Sequence, residues 1–71
     1  GNNSYNKLLS RIAVNIKSLR KKRGYTQEDM VEFGFNYRYY QKVESGTYSF
    51  NLYTLFRLSE AFKVDVQDFF R

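Results

Sequence analysis

The 71-residue chain contains no cysteine, proline, histidine or tryptophan, and only four glycines and one methionine. Without cysteine, no disulfide or thiolate metal site can reinforce so small a domain. Without histidine, the commonest general base, the commonest metal ligand and the usual physiological pH switch are all missing. The absence of proline and the scarcity of glycine leave no linker, so a single domain is expected. No apolar run approaches the roughly 20 residues of a membrane span. Nor does a basic start followed by an apolar block mark a secretion signal. These absences point to a cytoplasmic protein with no membrane partner. There is also no glycine-rich phosphate loop, and the few carboxylates are scattered through capping positions. An enzyme is therefore not expected, and neither a cofactor nor a metal site is.

What is present suits an apolar core. Hydrophobic residues make up 42% of the chain and aromatics 20%, with seven tyrosines and seven phenylalanines. That matters because a chain this short buries only roughly 60% of its unfolded surface. The net charge of +5 is unevenly placed. Residues 1–43 hold nine Lys/Arg against three Asp/Glu, whereas residues 44–71 hold three against four. A basic half of this kind implies a polyanion, because every phosphate it neutralises releases condensed counterions. The competing reading is a solvated basic face without a partner.

Hydrophobic periodicity gives an all-α architecture, a compact bundle of about five helices. Leu8, Leu9, Ile12, Ile16 and Leu19 place a first helix from about Tyr5 to Lys22, stopped by Gly24. Gly1, Asn2 and Asn3 are left out of this expectation. Arg20, Lys21, Lys22 and Arg23 complement the negative end of its dipole. Thr26 caps a brief second helix, with Asp29 in the reciprocal capping position and Met30, Val31 and Phe33 facing inward. Asn36 caps a third helix through about Glu44, anchored by Tyr40 and Val43. Gly34 and Gly46 follow the second and third helices, where a left-handed residue is wanted. Asn51 or Ser49 caps a fourth helix with an apolar stripe of Leu52, Leu55, Phe56, Leu58, Ser59 and Phe62. A short fifth helix begins near Asp65, with Val66, Phe69 and Phe70 inward. Phe62, Val66, Phe69 and Phe70 are open to two roles, core or dimer interface.

The most informative stretch is Thr26 to Gly46, TQEDMVEFGFNYRYYQKVESG. It places two short helices around a tight turn. Once its anchors are buried, the third helix still presents Tyr37, Arg38, Gln41 and Lys42. Arg38 has the fork geometry to bind guanine O6 and N7, and Lys42 can reach the same edge or a phosphate. Tyr37 can set its ring against a thymine methyl. These four are the candidate base-reading residues, against the alternative of a solvated face. Tyr39 is split between groove and core. Thr47 and Tyr48, in the following loop, are candidate phosphate contacts, as is Asn51; ordinary turn chemistry is the competing reading.

With these elements placed, the chain resembles the Cro/phage-repressor type of helix-turn-helix domain, the xenobiotic-response-element family. The resemblance rests on Ile16-x-x-Leu19-Arg20, Gly24-Tyr25-Thr26-Gln27-Glu28-Asp29-Met30 and Val43-Glu44-Ser45-Gly46. It continues in Leu52-x-x-Leu55-x-x-Leu58 and in Phe62-x-Val64-Asp65-Val66. It implies a domain over 15–71, with residues 1–14 as an extension running into the first helix. It also implies that Gln27, with Thr26 beside it, contacts the phosphate backbone, against the alternative of an ordinary first-turn polar residue. Arg20 and Glu44 are implied to form an ion pair tying the first helix to the end of the third, against the alternative that Arg20 joins Lys21, Lys22 and Arg23 as a phosphate contact. Two departures stand out. The segment between Met30 and Glu44 is one residue shorter than the family pattern, so the second helix or the turn must tighten. Phe50 stands where the family has proline.

The resulting expectation is a sequence-specific regulator that binds double-stranded DNA. Two copies on a palindromic operator would set their third helices about 34–36 Å apart. The alternative is a protein-interaction module of the same fold, of antitoxin or coactivator type.

Overall fold

A computed structural model describes residues 2–71, Asn2 by its backbone alone. Helix α1 runs from Asn2 to Lys22, α2 from Tyr37 to Glu44 and α3 from Leu52 to Phe62. Two 3-10 helices, Glu28–Phe33 and Val66–Phe70, complete the order, and no strand occurs among the described residues. The architecture is all-helical, as the periodicity indicates, but two of the five helices are wound as 3-10.

Helix α1 forms because Leu9, Ile12, Ala13 and Ile16 recur on one face, and all four are buried. Leu8, one step around the helix, is exposed. Each fully buried aliphatic side chain contributes about 1.5–3 kcal/mol. The far end of the chain closes over α1: Asn15 Nδ2 donates to the carbonyls of Phe69 at 2.9 Å and Arg71 at 2.8 Å. Arg11 donates to the Phe70 carbonyl. Arg23 Nε reaches the Phe62 carbonyl at 2.6 Å, satisfying a terminal acceptor of α3. The core between these elements is built from Ile12, Ile16, Met30, Phe35, Tyr40, Val43, Leu55, Leu58, Phe62 and Phe69.

The 3-10 winding explains why Val31 and Phe70 differ from the expected inward faces. With three residues per turn, only every third side chain points the same way. Met30 is buried and Val31, a third of a turn away, is 52% exposed; Phe33 lies on the Met30 side, but at the end of the helix its ring stops at the rim against Tyr25, centroids 5.2 Å apart. Val31 and Phe33 are thus not core residues, and Phe35, after the turn, takes up the core volume instead. The same period puts Phe69 fully inward and Val66 at the edge, and turns Phe70 outward. In α3, Leu55, Leu58, Ser59 and Phe62 are buried, but Leu52 and Phe56 are not. Leu52 opens the helix beyond the core, and Phe56 lies about 100° around the axis from Leu55.

Caps sit largely where the sequence puts them. Thr26 Oγ1 accepts from the Asp29 amide at 3.1 Å, while the Thr26 amide donates to Asp29 Oδ2 at 2.7 Å. Asn36 accepts from the Tyr39 amide at 3.0 Å. Of the two candidates for α3 it is Asn51 that caps, accepting from the Thr54 amide at 2.9 Å; Ser49 bonds the Tyr5 hydroxyl instead. Helix α3 ends on Lys63 in the left-handed region at φ 57°, with no glycine to announce the stop.

Gly34 carries the turn between the first 3-10 helix and α2 at φ 89°. A Cβ there would come within 2.9 Å of Arg57 Nη2, whose guanidinium donates to the Phe33 carbonyl at 3.1 Å and covers the Phe35 ring at 4.1 Å. Gly34→Ala is expected to cost about 1–2 kcal/mol in chemical denaturation from backbone strain alone. Displacement of Arg57 would add to that. Gly24→Ala, with open space around its Cβ, should lose only the strain component.

Candidate nucleic-acid interface

Helix α2 has two faces with separate duties. Tyr40 and Val43 are completely buried, and Glu44 closes the helix with a side chain only 3% exposed. Arg20 Nε donates to Glu44 Oε2 at 2.6 Å, and Arg20 Nη2 to Oε1 at 3.1 Å, a two-point clasp. Arg20 Nη1 donates to the Tyr25 carbonyl at 2.6 Å. The Tyr40 hydroxyl donates to Glu44 Oε2, and Gln27 Nε2 to Oε1 at 3.1 Å. One carboxylate thereby joins α1, the start of the first 3-10 helix and α2. No buried side-chain nitrogen or oxygen among the described residues lacks a partner.

The electrostatics follow from this geometry. Burial alone would push the Glu44 carboxyl upward, but hydrogen bonds from Arg20, Tyr40 and Gln27 hold it below the usual carboxylate range. Arg20 is raised, chiefly by its hydrogen bond to Glu44. The Tyr40 hydroxyl is pushed strongly up by burial and by the adjacent carboxylate, so it remains a donor.

The opposite face carries Tyr37, Arg38, Gln41 and Lys42, all exposed. With Ser45 and Thr47 they line an open concavity of about 720 Å³. Gln41 Nε2 donates to the Tyr37 hydroxyl at 3.2 Å, one turn apart, which steadies both side chains. Arg38 makes no hydrogen bond or ion pair among the described residues, so its guanidinium is unspent. At the end of α2, Ser45 Oγ lies 2.9 Å from Thr47 Oγ1 and accepts from the Thr47 amide at 3.2 Å, fixing the loop. Lys42 Nζ sits 5.5 Å from the centre of the Tyr48 ring. Tyr48 in turn meets Tyr39 edge-on at 5.8 Å, and the Tyr39 hydroxyl is 2.8 Å from Thr54 Oγ1. Tyr39 is therefore a strut between α2, the loop and α3.

Thr26 is exposed and Gln27 half-buried. Gln27 spends one amide hydrogen on Glu44, which leaves its other amide hydrogen and its carbonyl oxygen. Ser45 and the Tyr39–Thr54 strut escaped sequence reading, because neither has a periodic signal and both depend on the path of the loop.

Two helices meeting across a glycine turn, the second buried on one side and bearing cationic and amide groups on the other, define a helix-turn-helix. A helix-turn-helix family model matches residues 16–69, and the chain belongs to that family, the Cro/phage-repressor type. No curated protein and no solved structure matches the chain. No helix among the described residues is long and apolar enough to cross a membrane.

The clasp can be tested by a double-mutant cycle in thermal or chemical melts. Arg20→Ala and Glu44→Gln are each expected to cost about 3–5 kcal/mol, because each leaves a buried partner uncompensated. The double variant should cost much less than their sum, and additive losses would show that the groups act independently. The lowered carboxyl also sets a pH window. Its stabilisation is complete above the ordinary carboxylate range and is lost as pH falls through its depressed folded value. Glu44→Gln should flatten that acid limb.

Proposed function

We propose that this protein is a sequence-specific DNA-binding regulator that sets α2 in the major groove and binds a palindromic operator as a homodimer. Membership of a helix-turn-helix family supports the coarser statement, a DNA-binding regulator. The observation that carries the finer one is the division of α2. Its inward face is committed to Tyr40, Val43 and the Glu44 clasp, and every group on its outward face is able to contact a base or a phosphate. In this reading Arg38 reads guanine, Gln41 and Tyr37 act as an oriented pair on the neighbouring base, and Lys42 reaches a base edge or phosphate. Thr26, Gln27, Thr47 and Tyr48 hold the phosphate strands on either side and set the register.

Pairing of two copies is supported by an apolar patch on the other side of the charge division. Leu52, Tyr53, Phe56 and Val66 line it, with Leu52 71% and Tyr53 66% exposed and the Tyr53 and Phe56 rings stacked at 6.4 Å. None of the four is charged. The patch belongs to residues 44–71, whose charge is close to balanced, whereas the basic residues 1–43 would repel a second copy. Joining two molecules here leaves both basic halves free for DNA.

Selection of bound sequences from random duplexes at two salt concentrations tests class and symmetry together. An enriched inverted repeat with a steep salt slope is the expected result; no enrichment, or enrichment of single half-sites by the native protein, would reject the palindromic reading. On the selected site Arg38→Ala should cost about 1–3 kcal/mol while barely changing binding to random DNA. Phe56→Asp should keep the fold, since the ring is nearly half exposed, but shift selection from the repeat to half-sites.

A further inference from the structure

Helix α1 carries Lys7, Arg11, Lys17, Arg20, Lys21 and Lys22 and no carboxylate; the first acidic residue of the chain is Glu28. Two of these six cations have structural work, Arg11 on the Phe70 carbonyl and Arg20 on Glu44. Lys17 and Lys21 have none: both are exposed, and neither forms an ion pair among the described residues. They stand four residues apart on one face, a spacing at which like charges work against the helix.

These two lysines share a second concavity, of about 580 Å³, between α1 and the start of the first 3-10 helix. Thr26, Gln27 and Tyr37 line it with them. Tyr37 also lines the concavity on the outward face of α2, so the two adjoin at its side chain. Lys7 and Lys22 line neither. The Tyr37 hydroxyl accepts from Gln41, which leaves its own proton to donate, and Gln27 retains one amide hydrogen. Two lysines and two residues with a free neutral donor therefore line one concavity beside the face that α2 presents. Glu28 places a carboxylate on the same rim.

We propose that Lys17 and Lys21 form a phosphate-binding site of their own. In it, α1 grips the phosphodiester backbone of duplex DNA next to the segment that α2 faces. The inference rests on the DNA-binding reading and adds α1 to it as a second gripping element. The contact carries no sequence information. Its effect is to hold the duplex against Tyr37 and so set how deeply α2 enters the groove.

The test is a salt titration of the full chain on a 20-base-pair duplex of random sequence and on the selected site, followed by fluorescence anisotropy. Removing one phosphate partner lowers the slope of log affinity against log salt by about 0.9, so Lys17→Gln with Lys21→Gln should lower it by about 1.8. Both duplexes should weaken by the same factor. Lys7→Gln with Lys22→Gln removes the same charge elsewhere on α1 and should leave the slope near the native value. Glu28→Gln should tighten binding at fixed salt. The melting temperature of the Lys17/Lys21 variant should hold or rise, because a like-charge pair has been removed. Equal slopes for the two double variants would reduce the effect to overall charge and overturn the proposal. So would a native slope in the Lys17/Lys21 variant with the duplex still bound, leaving the DNA-binding reading intact. Failure of the native protein to bind any duplex at low salt would sink that reading as well.

Discussion

The Glu44 carboxylate is the point on which the rest of the molecule turns. It sits at the end of an eight-residue helix, too short to be stable by itself, and receives four side-chain hydrogen bonds from Arg20, Tyr40 and Gln27. Two of the donors belong to other elements, so the carboxylate sets the angle at which α2 leaves the core. Replacing such a cluster with apolar side chains of similar volume need not weaken the fold. What an apolar replacement would lack is direction. Hydrogen bonds fix rotation about the helix axis, whereas packing alone tolerates slippage. Both the ion pair and the buried Tyr40 and Val43 hold the face that α2 presents.

Much of this was legible from the residues, for identifiable reasons. The all-helical class, the span of α2 and the caps at Thr26, Asn36 and Asn51 follow from local rules that act within a few residues. The burial of Ile12, Ile16, Leu55, Leu58 and Phe62 follows from a period of about 3.6. What misled was the period itself. A 3-10 segment of six residues carries no separate signature, so Val31 read as inward when the winding turns it away, while Phe33 stays on the Met30 side and stops at the rim. Phe70 failed in the same way. The left-handed Lys63 gave no warning either. Its conformation closes the helix by bringing the Val64 amide back to the Ser59 carbonyl at 3.0 Å, which no preference of lysine itself would announce.

The candidate site divides along the same line. Exposure of Tyr37, Arg38, Gln41 and Lys42 could be read from the α2 pattern once its two anchors were chosen. Arg20 with Glu44 came only through family resemblance, since nothing in a single chain announces a pairing across 24 positions. Ser45, the Tyr39–Thr54 strut and the grouping of Lys17 and Lys21 with Tyr37 are products of tertiary geometry. The shortened segment before α2 was visible as a missing residue. Its structural form was not: helix two is wound as 3-10 and Phe35 enters the core behind it.

Within α2, the positions that hold the helix and the positions that face outward alternate without overlap. Residues 39, 40, 43 and 44 make the attachment; residues 37, 38, 41 and 42 are exposed, with Lys42 beside the Tyr48 ring. Replacements in the second set remove none of the side-chain hydrogen bonds that Tyr39, Tyr40 and Glu44 make. Under the proposed reading, a lineage could acquire a new target through single exchanges at those outward positions, each intermediate remaining folded, so that affinity for a site and integrity of the scaffold can drift apart without a lethal step between them.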